Sequence, residues 1–148
     1  IDDIMKQFWK TFAGFKDWQD ATMRKYYEVG YVESPSGRRR HLPMTRNEAI
    51  NASIQGQASD IVCDAMCRLS YMAVSQNKIW LHPRLNIHDD ITIITPDEHV
   101  EEAIAIIVET MLTPKFDCVN VPLSVTVSTG TNWGEMTELG KFWSHKDV

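Results

Sequence analysis

The chain is poor in cysteine, in long apolar runs and in net positive charge, and each shortage narrows what it can be. Three cysteines, Cys63, Cys67 and Cys118, are an odd number and too few to staple a small fold, so a disulfide framework is excluded and a reducing compartment is expected. The longest aliphatic run, Ala103 to Val108, falls far short of the roughly 20 apolar residues that cross a bilayer. No membrane partner is therefore expected. The first residues, Ile1-Asp2-Asp3, lack the basic stretch and apolar core of a secretory leader and contain no initiator Met, which predicts a cut or trimmed chain. Fifteen basic against twenty acidic residues give a net charge of −5, which argues against nonspecific binding to phosphate. One concentrated basic patch, Arg38-Arg39-Arg40-His41 with Arg46 behind it, can override that sum locally.

What is present indicates a folded α+β domain. At 148 residues the chain is long enough to bury a core, and its 43% hydrophobic and 24% charged content excludes disorder and fibrous repeats. Apolar residues recur at helical spacing from Asp2 to Val29, with Gly14 expected to bend or split the helix and Gly30 to end it. Tyr31-Val32-Glu33 and Arg39-Arg40-His41-Leu42, joined through Ser34-Pro35-Ser36-Gly37, predict a short β-hairpin. A second long helix is predicted from Asn47 to Gln76, with Ile50, Ile54, Ile61, Val62, Ala65, Leu69, Met72 and Ala73 as its apolar stripe. Gly56 inside it suggests close packing or close ligand approach. Arg84-Leu85-Asn86-Ile87 and Ile91 to Thr95 predict two strands around a polar turn. A helix over Asp97 to Leu112 and a strand over Val119 to Ser128 follow.

Cys63 and Cys67, four apart, would share a helical face. A metal site would need two further ligands and no other Cys or His lies nearby in sequence, so both are expected as small buried hydrophobes. Trp9, Trp18, Trp80, Trp133 and Trp143 are scattered and are expected to pack in a core or a domain interface.

The chemistry concentrates at His88-Asp89-Asp90. Adjacent carboxylates on a tight turn present oxygen ligands that suit a hard divalent cation, although Asp is also common in ordinary solvated turns. The wider context changes the reading. In order and spacing, the segments Gly30 to Arg40, Asn51 to Ile61, the acidic turn, Val121-Pro122-Leu123 and Gly130-Thr131-Asn132-Trp133 resemble the C-terminal part of A-family DNA polymerases, over nearly all of the chain.

The resemblance implies an antiparallel palm-type sheet whose strand-turn-strand carries the acidic motif, backed by long helices, with a small N-terminal hairpin. Residues 1–46 would come from the fingers side and residues 47–148 from the palm, as a single C-terminal polymerase fragment from a bacterium or phage, acting in the bacterial cell or the infected host. It further implies addition of deoxynucleotides to a primer 3′ end with two Mg2+ ions. Primer-template DNA and deoxynucleoside triphosphates would be the partners, together with an upstream polymerase segment or subunit. Asp89 matches the family's metal-binding aspartate. Asp90 stands where the family has Glu, one methylene longer. His88 would lie near the primer terminus or anchor the turn. Asn51 and Gln55 match amides that reach acceptors in the minor groove, and Asn86 occupies the place of another such amide. Arg38, Arg39 and Arg40 would contact phosphate, or else form a solvated hairpin with one Arg paired to a carboxylate. Asn47 stands where the family commonly has Arg, and Arg46 is displaced by one.

The family also uses a second palm aspartate and a fingers helix bearing Lys and Arg, neither of which precedes this segment, so the fragment alone is expected to be inactive. A metal-dependent nuclease or cyclase on a palm-like sheet, and a non-catalytic nucleic-acid-binding module, remain as alternatives.

Overall fold

The computed structural model describes residues 2–41 and 43–144. Ile1 and Leu42, the latter expected to end the second hairpin strand, lie outside the described residues. The chain forms two compact units, Ile1–Gln57 and Ala58–Val148. Both mix helices with short antiparallel ribbons, so the α+β class holds.

The first unit contains α1 (Asp2–Thr11), α2 (Ala13–Val29), β1 (Tyr31–Glu33), β2 (Arg39–His41) and the start of α3 (Arg46–Ser75). The expected bend at Gly14 falls instead at Phe12, whose φ of −111° and ψ of 45° leave the helical region, and Gly14 continues α2 with open space around it. Aromatic contacts straddle the break: Phe8 meets Phe12 at 4.9 Å between ring centroids, and Trp9 stacks on Phe15 at 6.2 Å. Gly30 ends α2 as expected, in the left-handed conformation at φ 78°, with its N–H donating to the Tyr26 carbonyl. β1 and β2 pair antiparallel, Val32 opposite Arg40 and Glu33 opposite Arg39. The core of this unit is Met23, Tyr26, Val32, Ala49 and Ile50. The buried Tyr26 hydroxyl accepts the Met44 N–H at 2.9 Å, which fixes the segment leading into α3.

α3 starts on a reciprocal cap. The Glu48 carboxylate accepts the Thr45 N–H at 2.8 Å, and Thr45 Oγ1 accepts the Glu48 N–H at 3.3 Å. The backbone bond from Thr45 is the main reason that the Glu48 carboxyl is held below its ordinary range. Thr45-x-x-Glu48 is a legible cap signal that the periodicity reading passed over.

In the second unit α3 continues and is followed by a 3-10 turn (Ile79–Leu81), β3 (Pro83–Ile87) and β4 (Asp90–Ile93). A 3-10 turn (Asp97–His99) then leads into α4 (Val100–Leu112), and β5 (Ser124–Thr129) and β6 (Thr137–Trp143) complete it. Ala73, Leu81 and Ala103 form a buried cluster against which Met72, Trp80, Ile106 and Ile107 pack. Arg68 from α3 closes the C-terminal end of α4: its Nη1 donates to the carbonyls of Thr110 at 3.1 Å and Thr113 at 2.7 Å, and it pairs with Asp64 at 3.3 Å. A cation there satisfies carbonyls that the helix leaves without partners.

β6 had no clear sequence signal. A bulge explains this: Val127 faces Gly140 and Ser128 faces Glu138, so Leu139 is unopposed and the two-residue alternation is reset. Gly130 is required between the strands, because a Cβ there would stand 2.5 Å from the Glu135 carbonyl oxygen.

One expectation about burial fails and another is met in part. Cys63 and Cys67 are exposed, because α3 buries Val62, Ala65, Leu69 and Ala73 and turns the cysteine face outward. Trp80 packs against the buried cluster, but Trp133 and Trp143 are each 56% exposed on a ribbon with only two strands. No helix among the described residues is long and apolar enough to cross a membrane.

Candidate functional site

The acidic motif sits at the tip of the β3–β4 ribbon. Ile87 pairs with Asp90, leaving His88 and Asp89 as the two central residues of the turn. His88 has φ 57°, a left-handed conformation that two-residue hairpins demand and that glycine adopts most easily. Asn86 reaches forward over the turn, its Nδ2 donating to the carbonyls of His88 at 3.2 Å and Asp90 at 2.9 Å. Every residue from Arg84 to Asp90 is exposed. The strand-turn-strand thus brings Asn86, His88, Asp89 and Asp90 together.

Asp89 and Asp90 are hard oxygen donors open to solvent and suit part of a Mg2+ site. Magnesium prefers about six oxygen ligands, several of them water or substrate oxygens. Among the described residues no group of three or more His, Cys, Asp or Glu side chains is placed to hold a metal. The pair fits the ion as an incomplete ligand set.

The other predicted residues lie in the first unit. Asn51 and Gln55 are both exposed, one turn apart on α3, so their amides share a face beyond the Thr45–Glu48 cap. Arg46 pairs with Asp20 at 2.8 Å. On the hairpin, Arg39 is hydrogen-bonded to Glu33 directly across the ribbon and lies 4.7 Å over the Tyr31 ring. That bond is the chief cause holding the Glu33 carboxyl below its ordinary range and raising the Arg39 guanidinium. Arg39 is therefore paired to a carboxylate, and Arg38 and Arg40 are exposed beside it. Gly56 needs no special closeness, since a Cβ would meet Ser34 Cβ at an ordinary 3.6 Å.

A family model, DNA polymerase family A, matches residues 2–135, a range that encloses the hairpin, both helix amides, the acidic turn and the Gly130 to Trp133 ending. The chain belongs to DNA polymerase family A. It is 33% identical over 149 residues to DNA polymerase I of Chloroflexus aurantiacus, covering 94% of this chain and 15% of that protein. With DNA polymerase I of Rhizobium leguminosarum it shares 31% identity over 150 residues, covering 90% of this chain and 14% of that one. A solved structure, the POL domain of Pol1 from M. smegmatis in complex with DNA primer-template and dNTP, superposes with a TM-score of 0.62 at 25% identity, covering 73% of this chain and 21% of that one. The chain thus spans about one seventh of the length of these two curated relatives. Within this A-family polymerase segment, the residues that sequence reasoning overlooked are supports, not reactive groups. They are Thr45 and Glu48 at the start of α3, Tyr26 beneath Met44, and Arg68 at the end of α4.

Proposed function

We propose that the chain forms the acidic-turn part of the palm of a DNA-directed DNA polymerase, with residues 1–46 from the fingers side and residues 47–148 from the palm. The observation that carries this reading is the family match across residues 2–135 together with an exposed two-carboxylate turn within it.

In this reading Asp89 supplies a metal ligand. Asp90, with a shorter arm than Glu, adds negative charge beside it, and His88 lies next to the primer terminus. Bound magnesium ions supply the chemistry that lowers the pKa of the primer 3′-hydroxyl and stabilises charge on the departing pyrophosphate. Asn51 and Gln55 check the shape of the primer-template through minor-groove acceptors common to every correct base pair, which gives fidelity without sequence preference. Arg38 and Arg40 steady the duplex through phosphate, while Arg39 holds the hairpin through Glu33. The partners are primer-template DNA, deoxynucleoside triphosphates and the polymerase segment that completes the metal site, in the cytoplasm of a bacterium or of a phage-infected host.

Among the described residues the ligand set for a two-metal centre is incomplete, and the chain alone does not polymerise. Primer extension with the purified chain is expected to give no template-dependent product, and supplying the remaining polymerase segment in trans or in cis restores it unless Asp89→Asn is present. Template-dependent product from the isolated chain, or from a completed Asp89→Asn enzyme at the wild-type rate, would refute this account.

A further inference from the structure

Asn86 lies beside the acidic turn, and its side chain folds onto the ribbon. Its amide nitrogen donates to the carbonyls of both His88 and Asp90, the two residues that flank Asp89. A carboxamide has two N–H donors, and both are used here. The turn needs a brace for two reasons. His88 holds φ 57° without being glycine, a conformation that persists only where surrounding interactions enforce it. The ribbon from Arg84 to Asp90 is exposed, so core packing does not supply that enforcement.

We propose that Asn86 is a positioning residue for Asp89: by tying the His88 and Asp90 carbonyls to one amide, it fixes the backbone that presents the metal-binding carboxylate, and it does not contact DNA. The metal half of this role rests on the polymerase reading of the turn. The brace itself rests only on the ribbon's geometry.

Nuclear magnetic resonance on the 148-residue chain tests both halves. In Asn86→Ala, amide hydrogen exchange at the ribbon tip is expected to accelerate about tenfold, the effect of losing two modest hydrogen bonds. Broadening of the Asp89 amide signal by Mn2+ is expected to require several-fold more Mn2+. Adding His88→Gly, which places the favoured residue at the strained position, restores both, a rescue that a lost DNA contact would not show. In the wild-type chain, primer-template duplex shifts the side-chain amide signals of Asn51 and Gln55 and leaves those of Asn86 in place.

Unchanged exchange in Asn86→Ala overturns the brace. Faster exchange with an unaltered Mn2+ response at Asp89 overturns the positioning role while the metal reading survives. A wild-type protein in which Mn2+ leaves Asp89 sharp both in the chain alone and after addition of the remaining polymerase segment defeats the metal reading itself, and the positioning role with it. Movement of the Asn86 side-chain signals along with those of Asn51 and Gln55 overturns the proposal in favour of DNA contact.

Discussion

The two hairpins of this chain solve the same geometric problem with different residues. In β1–β2 the left-handed position of the connection is Gly37, at φ 94°, where no Cβ opposes the conformation. In β3–β4 it is His88, at φ 57°, and a neighbouring Asn side chain supports it. The first hairpin is also tied across its strands by Arg39 and Glu33 and buries Val32, whereas the tip of the second is exposed and carries two adjacent carboxylates. A turn that uses glycine meets the backbone demand without a Cβ in the way, and a turn that keeps an imidazole in that position beside two like charges holds those groups at some cost to stability.

The largest effect should come from removing the support below the acidic ribbon. Leu81 is completely buried just before β3, and Leu81→Ala is expected to lower the stability of the second unit by about 2–5 kcal/mol, read by urea denaturation. A loss below about 1 kcal/mol would mean that the ribbon is anchored elsewhere.

Next come substitutions of opposite sign at the two turns. Gly37→Ala is expected to cost about 1–2 kcal/mol, because it places a Cβ at positive φ, while His88→Gly relieves strain of the same origin and raises stability by up to about that amount. Thermal melts of the two variants shifting in the same direction would remove the contrast between the hairpins.

The smallest effect concerns pH. The Glu33 carboxyl, held down chiefly by its hydrogen bond to Arg39, titrates below its ordinary value of 4.5. A carboxylate depressed in the folded state stabilises the fold above its unfolded pKa, and that contribution is lost as pH falls through the lower, folded value. The hairpin should therefore loosen in acid below pH 4.5, visible in the Tyr31 and Arg39 resonances, and Arg39→Ala should move the Glu33 transition back toward 4.5. A transition that stays where it was in Arg39→Ala would show that the pair does not control it.

Much of the fold was legible because its signals are local. The helical spacing of Ile50, Val62, Ala65, Leu69 and Ala73 gave α3, Gly30 gave the end of α2, and the apolar runs around His88-Asp89-Asp90 gave the ribbon. The break at Phe12 was not legible, because ring contacts on both sides of it decide where the helix yields. Nor was β6, whose bulge scrambles the alternation that marks a strand. The outward face of Cys63 and Cys67 depended on which side of α3 the rest of the unit covers.

The candidate site divides in the same way. By itself the sequence determined which groups are available: two carboxylates and a histidine on a turn, two amides one helical turn apart, and three arginines in a row. Covalent spacing and backbone period fix these whatever the rest of the chain does. Only the tertiary structure decided how some of them are engaged. It turned Arg39 toward Glu33, sent Arg68 across to the carbonyls ending α4, and folded the Asn86 amide onto the turn carrying Asp89. A long polar side chain can reach several partners from one backbone position, and the choice among them is made by what the folded chain brings within hydrogen-bonding distance.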